Sequence, residues 1–342
     1  MAQAGGGAAA ALNRGMQHHP ILREFTWTAP RRDGNMVVNA IGARQQAVYD
    51  AGVVSNAAPF ERHADSADEP SIAPTAAYLP RFDEEYFEWI DILESVKSYA
   101  SGHAGKRPYV VAELGAGFGR WAVNAVQALR QACPDPCEYF LCAVEADRKH
   151  FEWLRQNLSD NGIDPGRHLL LNVPLTGDGR CVSFLTGAYG RDFGQSIIKK
   201  RQAIRLRATE SVIGRMLLQR IAPLRRRYPP LQDRFVQELK SSTLNEVLRK
   251  TPHVVDIADL DLQEMEAEVI EAALPLVNER VKRMHIGTHS PKVEERLREC
   301  LRTAGWDLVR DYACHGLRDT PFGRIAFGDG VQSWINPRLV RD

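Results

Sequence analysis

The sequence of 342 residues contains no apolar run that approaches the length of a membrane span. Its formal net charge is +1, so the chain as a whole lacks the basic excess of nucleic-acid-binding or membrane-surface proteins. The six cysteines are scattered, and Cys133 and Cys137 in C-P-D-P-C have no matching Cys/His pair downstream for a zinc site. The first twelve residues have neither the basic segment nor the apolar core of a signal peptide. We therefore predict free thiols and a cytoplasmic location.

The composition, with 44% hydrophobic and 25% charged residues, is that of a soluble globular protein. Residues 1–20 are predicted to form a disordered tail, in which His18 and His19 are solvated. Residues 21–80 are predicted to form an N-terminal extension and linker, because Ala, Ser, Asp and Pro dominate their second half. Residues 81–335 alternate strand and helix patterns and are predicted to form the main domain.

A glycine-rich turn lies near the start of the main domain. The apolar run Tyr109–Ala112 predicts a strand buried on both faces of a parallel sheet, and Glu113 ends it. Gly115, Gly117 and Gly119 follow at alternate positions, and a helical pattern then begins. Strand, glycine turn and helix together allow a backbone to pass close under a nucleotide-like ligand.

The spacing of the glycines favours one ligand class. A dinucleotide site requires G-x-G-x-x-G, but its last position is occupied here by Arg120. The spacing E-x-G-x-G-x-G instead resembles motif I of class I S-adenosylmethionine (SAM) methyltransferases. The resemblance implies that Glu113 serves the methionine amino group of SAM, and that Gly115, Gly117 and Gly119 pass under its ribose and methionine.

Three further residues are predicted to contact the cofactor. Glu145 ends the next strand, and a carboxylate there can accept hydrogen bonds from both hydroxyls of a ribose. Asn172 lies in the predicted third strand, His168–Val173, and is also predicted to bind the cofactor. Tyr86 lies in a helix that precedes the first strand, which the resemblance places over the cofactor cleft. Packing of Tyr86 against the sheet is the alternative.

The remaining patterns complete an α/β fold. A hairpin is predicted around Gly177–Gly179. Further strands are predicted over Val254–Leu262, Val281–Ile286, Trp306–Tyr312 and Gly323–Phe327. The fold class is therefore a Rossmann-like, seven-stranded, mostly parallel sheet with helices on both faces, as in class I SAM methyltransferases.

A longer segment resembles a particular family. Val255–Ile270 looks like the signature D-L-x-K-I-D-[IV]-[QE]-G-x-E-x-x-V-L of FkbM-type SAM-dependent methyltransferases. Thr243–Leu248 resembles the T-L-D-E-L-L that precedes the signature, and Val281–Ser290 is similar to the strand that follows it. Two positions depart from the pattern, since Asp259 replaces the family lysine and Glu264 replaces the family glycine.

The family resemblance implies O-methylation of a hydroxyl on a sugar, a glycolipid or a natural product. Asp261 would then lie at the end of the fourth strand, where it could orient the hydroxyl, accept its proton or hold a cation. His289 is the second candidate base, since a neutral imidazole suits that role near pH 7, and His285 is a third. Asp259, Asp261 and His289 could also hold Mg²⁺, although their spacing does not establish a metal site.

A basic insertion and three rival functions stay open. Residues 199–227 contain ten Lys and Arg against one acidic residue, within a predicted helical insertion over residues 195–240. This stretch predicts either a cover helix or a contact for an anionic substrate or a membrane surface. A SAM-binding regulator, a nicotinamide dehydrogenase and an RNA methyltransferase are the alternatives, but no aromatic platform accompanies the basic residues, so no nucleic-acid partner is expected. The sequence does not indicate an oligomeric state.

Overall fold

A computed structural model describes residues 18–49, 79–133, 135, 137–187, 195–199, 202 and 234–340. The strands of this part of the chain are β1 (Arg31–Asp33), β2 (Met36–Val38), β3 (Arg44–Gln46), β4 (Tyr109–Leu114), β5 (Tyr139–Val144), β6 (Leu169–Leu171), β7 (Cys181–Gly187), β8 (Ser196–Ile198), β9 (Arg234–Lys240), β10 (Ile257–Leu260), β11 (Arg283–Thr288), β12 (Asp307–Tyr312), β13 (Gly316–Thr320), β14 (Gly323–Phe327) and β15 (Gly330–Ile335).

The helices of the same part of the chain are α1 (Glu85–Gly102), α2 (Arg120–Ala132), α3 (Arg148–Asp160), α4 (Leu244–Lys250), α5 (Glu266–Arg280), α6 (Pro291–Thr303) and α7 (Pro337–Val340), with 3₁₀ turns at Pro20–Glu24 and Pro165–Arg167. None of the helices in this part of the chain is long and apolar enough to cross a bilayer.

Seven strands form the central sheet in the order β12-β15-β11-β10-β4-β5-β6. The five strands from β11 to β6 run parallel to their neighbours, while β15 is antiparallel to both β11 and β12. The predicted fold, a seven-stranded and mostly parallel sheet of the class I SAM methyltransferase type, is confirmed. The carboxyl ends of the parallel strands meet at one edge, which is where an open α/β sheet binds its ligands.

Helices cover both faces of the sheet because alternate residues of each strand are apolar on opposite sides. Val111 and Ile257 face a core built with α1, α2 and α3, and Val110 and Leu260 face a second core built with α4, α5 and α6. Asp259 lies between Ala258 and Leu260 and therefore faces the α1 side of the sheet.

Two predicted strand pairings are wrong. The strand that completes the central sheet is β15, whereas Gly323–Phe327 pairs with β13 in a separate hairpin. The turn at Gly177–Gly179 does not form a hairpin with β6, because β7 pairs with β8 and β9 in a second sheet. In both cases the local turn residues indicate where the chain reverses, but they carry no information about which strand it then meets.

The N-terminal extension packs onto the main domain. Leu22 and Trp27 are buried in the α1 side of the core, and β3 is fastened to the end of α3, where Arg44 N donates to Asn161 Oδ1 at 2.8 Å. The predicted solvation of His18 and His19 is wrong. The His18 ring stacks on Phe82, which precedes α1, at 4.4 Å between centroids, and His19 N donates to the hydroxyl of Tyr86 on α1.

Other predictions concern residues outside the described part of the chain. Residues 1–17 and 50–78 are outside it, and so is almost all of the basic stretch 199–227. The described ends of the predicted helical insertion are strands: β8 lies near its start and β9 at its end, and both pair with β7.

Candidate functional site

A cleft of about 300 Å³ opens at the carboxyl edge of the parallel strands. Its walls come from the glycine turn after β4, the start of α1 and the chain that follows β5, β10 and β11. This volume is at the lower end of the range for small-molecule sites. The cleft lies at the edge of the sheet where open α/β folds generally bind their ligands.

The glycine turn lies against its neighbours so closely that side chains are excluded. Gly115, Gly117 and Gly119 all have positive φ, at 91°, 53° and 75°. A Cβ atom at Gly115 would lie 1.8 Å from the carbonyl oxygen of Asp261, and one at Gly119 would lie 2.3 Å from Leu154 Cδ1. The glycines therefore allow β4, β10 and α3 to converge beneath the cleft.

Glu113 caps α2 from inside the sheet. Its two carboxylate oxygens accept hydrogen bonds from Trp121 N at 3.1 Å and Ala122 N at 2.8 Å. Burial, reinforced by the nearby carboxyl of Asp259, raises the pKa of Glu113 to about 8. The N-terminus of α2 thus already has an acidic partner, and a ligand phosphate would have to compete with it.

Glu145 lines the cleft in a fixed position. Gly117 N donates to its Oε2 at 2.7 Å and Asp147 N donates to its Oε1 at 2.6 Å. Burial raises its pKa to about 8, although these two hydrogen bonds act in the opposite direction. Asp147 caps α3 as its position in the sequence predicts, accepting from Lys149 N and His150 N. Glu145 is therefore preorganised at the place where the sequence predicts a ribose.

Two of the predicted cofactor-binding residues lie outside the lining of the cleft. Tyr86 is fully buried in the aromatic cluster of α1, and its hydroxyl accepts a hydrogen bond from His19 N at 2.8 Å. Asn172 is exposed, and its Nδ2 donates to the carbonyl oxygens of Glu145 and Ala146 at 2.9 and 3.1 Å. Asn172 therefore fastens the end of β6 to the end of β5, and Tyr86 packs in the core.

Asp261 and His289, the predicted catalytic pair, are in contact. His289 Nε2 lies 3.2 Å from Asp261 Oδ1, and His289 Nδ1 lies 3.1 Å from Glu266 Oε1. Burial alone would lower the pKa of His289, but its contacts with Asp261 and Glu266 raise it to about 11. His289 is therefore protonated at neutral pH in this arrangement, which removes the neutral imidazole that the predicted base role requires.

Asp261 is the partner that faces the ligand. Its side chain is half exposed and lines the cleft, whereas the His289 side chain is mostly buried. The protein around its carboxylate would raise the pKa of Asp261 by desolvation, although the side chain is half exposed; the hydrogen bond from His289 outweighs that effect and lowers the pKa. Asp261 is thus an ionised acceptor at the carboxyl end of β10, and His289 holds it in place from behind.

The loop after Asp261 has strained backbone. Gln263 and Glu264 have positive φ values of 50° and 80°, which only glycine adopts without cost. The FkbM-type signature that this segment resembles has glycine at the position of Glu264, and glycine adopts this conformation without strain. Glu266 Oε1 accepts from Leu262 N at 2.9 Å and Glu264 N at 3.3 Å, and these bonds stabilise the turn.

Acidic side chains dominate the described lining of the cleft. Eight carboxyl groups line it, at Glu84, Glu85, Glu88, Glu113, Glu145, Asp259, Asp261 and Asp329. Arg120 is the basic residue among them, apart from histidines, and it pairs with both carboxylate oxygens of Glu85 at 2.6 and 2.7 Å. The cleft therefore favours a ligand that carries positive charge.

The proposed magnesium ligands do not come together as predicted. Asp261, Glu266 and His289 form one group of adjacent ligand atoms, and Asp259 belongs to a second group with Glu88 and His285. Both ring nitrogens of His289 already face carboxylates in the first group. The sequence analysis missed Glu88 as a site residue, because its place in the amphipathic pattern of α1 does not show that it borders a cleft.

Comparison with known proteins gives a distant sequence relative. No family model matches the chain. A protein of Jannaschia sp. (strain CCS1) described as "Putative methyltransferase" is 25% identical over 252 residues, which are 73% of this chain and 80% of that protein.

Two solved structures give weaker likenesses. Methyltransferase FkbM from Methylobacillus flagellatus KT has a TM-score of 0.38 and 10% identity, covering 84% of this chain and 60% of its own. Precorrin-6y C5,15-methyltransferase from Geobacter metallireducens GS-15 has a TM-score of 0.35 and 11% identity, covering 71% and 86%. At these TM-scores neither structure indicates a substrate.

Proposed function

We propose that this protein is a SAM-dependent methyltransferase of the FkbM type that methylates a hydroxyl group of a sugar, glycan, glycolipid or natural product. The observation that carries the proposal is the acidic cleft at the carboxyl edge of the sheet, with Glu145 fixed at its rim and the N-terminus of α2 capped by Glu113. The sequence similarity to the Jannaschia protein described as "Putative methyltransferase" supports it.

The charges of the cleft suit SAM and oppose a dinucleotide. SAM carries a sulfonium and an ammonium group, and both are positive. A dinucleotide places its pyrophosphate at the N-terminus of the helix after the glycine turn. Here the carboxylate of Glu113 already accepts hydrogen bonds from the backbone N–H groups of Trp121 and Ala122. A pyrophosphate would therefore meet a buried acid where it needs free donors.

The chain's own residues would hold the cofactor and the acceptor. Glu145 would accept hydrogen bonds from the ribose hydroxyls. Arg120, which pairs with Glu85, is the guanidinium of the described lining and would also meet the carboxylate of SAM. When bound, SAM supplies an activated methyl group, so the protein contributes orientation and electrostatics. Asp261 would orient the acceptor hydroxyl and take its proton, and His289 would keep Asp261 in position.

The same charges favour a neutral acceptor. A phosphorylated acceptor or an RNA backbone would approach Asp261 and Asp329, two half-exposed carboxylates at the mouth of the cleft. Like charges repel in a site of lowered dielectric constant, so such acceptors would bind weakly there. A hydroxyl of an uncharged sugar or polyketide-like molecule meets no such barrier.

The test is methyl transfer from radiolabelled SAM to three groups of acceptors: neutral glycans and glycolipids, phosphorylated sugars, and RNA. We expect label on a neutral hydroxyl acceptor and loss of transfer in Asp261→Asn, with binding of S-adenosylhomocysteine retained in that variant. Label on RNA alone would overturn the proposed acceptor class. Binding of S-adenosylhomocysteine without transfer to any acceptor would favour the alternative that the protein is a SAM-binding regulator without transfer activity.

A further inference from the structure

A row of polar side chains crosses the α1 face of the central sheet. Five residues of adjacent strands stand in register: Arg310 on β12, Ser333 on β15, His285 on β11, Asp259 on β10 and Glu113 on β4. Apolar residues occupy the neighbouring positions of this face, so the row is a polar layer within the core. Its Asp259 and Glu113 end lines the floor of the cleft.

Asp91 on α1 orients the imidazole in this row. His285 Nδ1 lies 2.6 Å from Asp91 Oδ2, and Asp91 also accepts hydrogen bonds from Ser333 and Arg310. Burial would raise the pKa of Asp91, but Arg310 and His285 outweigh it and lower the pKa. An ionised Asp91 accepts a hydrogen bond from Nδ1 of His285, so in the neutral ring the lone pair is on Nε2. A carboxylate behind a histidine in this way is typical of histidines that bind cations.

Two carboxyl groups complete the arrangement. Glu88 and Asp259 share a hydrogen bond, so one of them holds a proton. Burial raises the pKa of both groups, to about 6 for Asp259 and well above the usual range for Glu88. Glu88, Asp259 and His285 each offer a ligand atom, and these atoms lie within 4.8 Å of one another. Two carboxyl groups and an imidazole nitrogen thus converge on one point beneath the cleft.

We propose that Glu88, Asp259 and His285 form a buried cation site at the floor of the cleft, because their ligand atoms converge there and His285 is oriented from behind by Asp91. Two oxygen ligands and one imidazole nitrogen suit a divalent ion such as Mn²⁺. The ammonium group of a ligand in the cleft offers the same chemistry. The cation would then be the ammonium group of SAM, and this source rests on the proposed function. A bound metal ion, the other source, does not depend on the proposed function.

The experiment compares the wild-type protein with Asp259→Asn, Glu88→Gln and Asp259→Lys. Asp259→Asn removes one ligand of the proposed site. Glu88→Gln removes another, and it replaces Asp259→Asn as the test if Asp259→Asn fails to fold, because Glu88 is less buried. Asp259→Lys places an ammonium of its own at the site. Asp329→Asn is the matched control, since it removes one negative charge from the same cleft without touching the three ligands.

The first arm measures Mn²⁺ binding by electron paramagnetic resonance without cofactor. The metal source predicts a single Mn²⁺ site in the wild type and in Asp329→Asn. Its affinity should fall at least tenfold in Asp259→Asn and Glu88→Gln, and the site should be absent in Asp259→Lys.

The second arm measures binding of S-adenosylhomocysteine and of 5′-methylthioadenosine, which lacks the ammonium group. Weakening of the first ligand alone, by tenfold or more in Asp259→Asn and Glu88→Gln, supports the ammonium source.

The proposal is overturned if Mn²⁺ does not bind and both nucleosides bind all variants equally. In that case Glu88 and Asp259 only share a proton. Failure of the wild type to bind S-adenosylhomocysteine would contradict the proposed function and leave the Mn²⁺ arm to decide the cation site.

Discussion

The backbone of Gly115 lies directly against the backbone of Asp261, because a Cβ atom at Gly115 would be 1.8 Å from the carbonyl oxygen of Asp261. This contact brings the cofactor-side glycine turn after β4 next to the residue that would hold the acceptor after β10. Asp261 N also donates to the carbonyl oxygen of Leu114, one residue before the glycine. Direct backbone contacts therefore hold the cofactor side and the acceptor side of the proposed site together.

We expect Gly115→Ala to lower the free energy of unfolding by about 3 kcal/mol or more, since a left-handed conformation and an overpacked backbone contact each cost about 1–3 kcal/mol. Gly34→Ala is the control, because Gly34 also has positive φ, at 61°, but a Cβ atom there would meet no atom within 4 Å. That variant should lose only about 1 kcal/mol. Chemical denaturation measures both, and equal losses would show that the contact with Asp261 contributes nothing.

Glu145→Gln should weaken the binding of S-adenosylhomocysteine by roughly 10–100-fold, because the amide offers only one acceptor oxygen where the carboxyl group would receive both ribose hydroxyls. Asn172→Ala should change it by less than about threefold, because Asn172 lies outside the lining of the cleft. Isothermal titration calorimetry measures both affinities. The assignment of the ribose to Glu145 fails if Asn172→Ala has the larger effect.

Asp261→Asn should reduce kcat by roughly 10²–10⁴-fold, as for removal of a general base. His289→Gln should reduce it less, because His289 reaches the acceptor only through Asp261 and glutamine can still donate a hydrogen bond. KM for SAM should stay nearly constant in both variants. Steady-state kinetics would contradict these roles if His289→Gln lost more kcat than Asp261→Asn.

The raised pKa of His289 predicts a pH-dependent contribution to stability. Its pKa is about 11 in the folded chain, against 6.5 for an unperturbed histidine. The stabilising contacts with Asp261 and Glu266 should therefore be fully present below about pH 6.5 and be lost progressively as the pH rises towards 11. The difference in unfolding free energy between the wild type and His289→Gln should shrink from pH 7 to pH 10.

His253→Gln is the control for that measurement, because His253 is exposed on the loop before β10. Its difference from the wild type should be small beside that of His289→Gln at pH 7, because the exposed side chain contributes little to the packing of the fold. A constant difference for His289→Gln across the range would show that His289 is not held protonated by its two carboxylates.

Local signals in the sequence were sufficient to predict much of the fold. β12 begins and ends within one residue of the predicted strand Trp306–Tyr312, and Asp147 caps α3, because apolar runs and capping residues act within a few residues. β15 was missed because its buried polar residues Gln332 and Ser333 break the apolar pattern. Their partners, Glu294 and Asp91, lie far away in the sequence.

The site shows the same division between local and distant information. The glycine turn and Glu145 could be located from spacing, because the turn chemistry is contained in one segment. The protonation of His289 depends on Glu266 and Asp261, and the group of Asp259 with Glu88 depends on how α1 crosses the sheet. Such electrostatic relationships follow from tertiary packing, and no spacing in the sequence encodes them.

The central claim, that the cleft takes SAM, is tested most directly by calorimetric titration of the purified protein with SAM and, separately, with NAD. The acidic lining and the capped N-terminus of α2 predict that SAM binds at one site per chain, that Glu145→Gln weakens it, and that NAD gives no binding heat. Binding of NAD, or absence of any SAM binding to the folded wild type, would contradict the methyltransferase proposal.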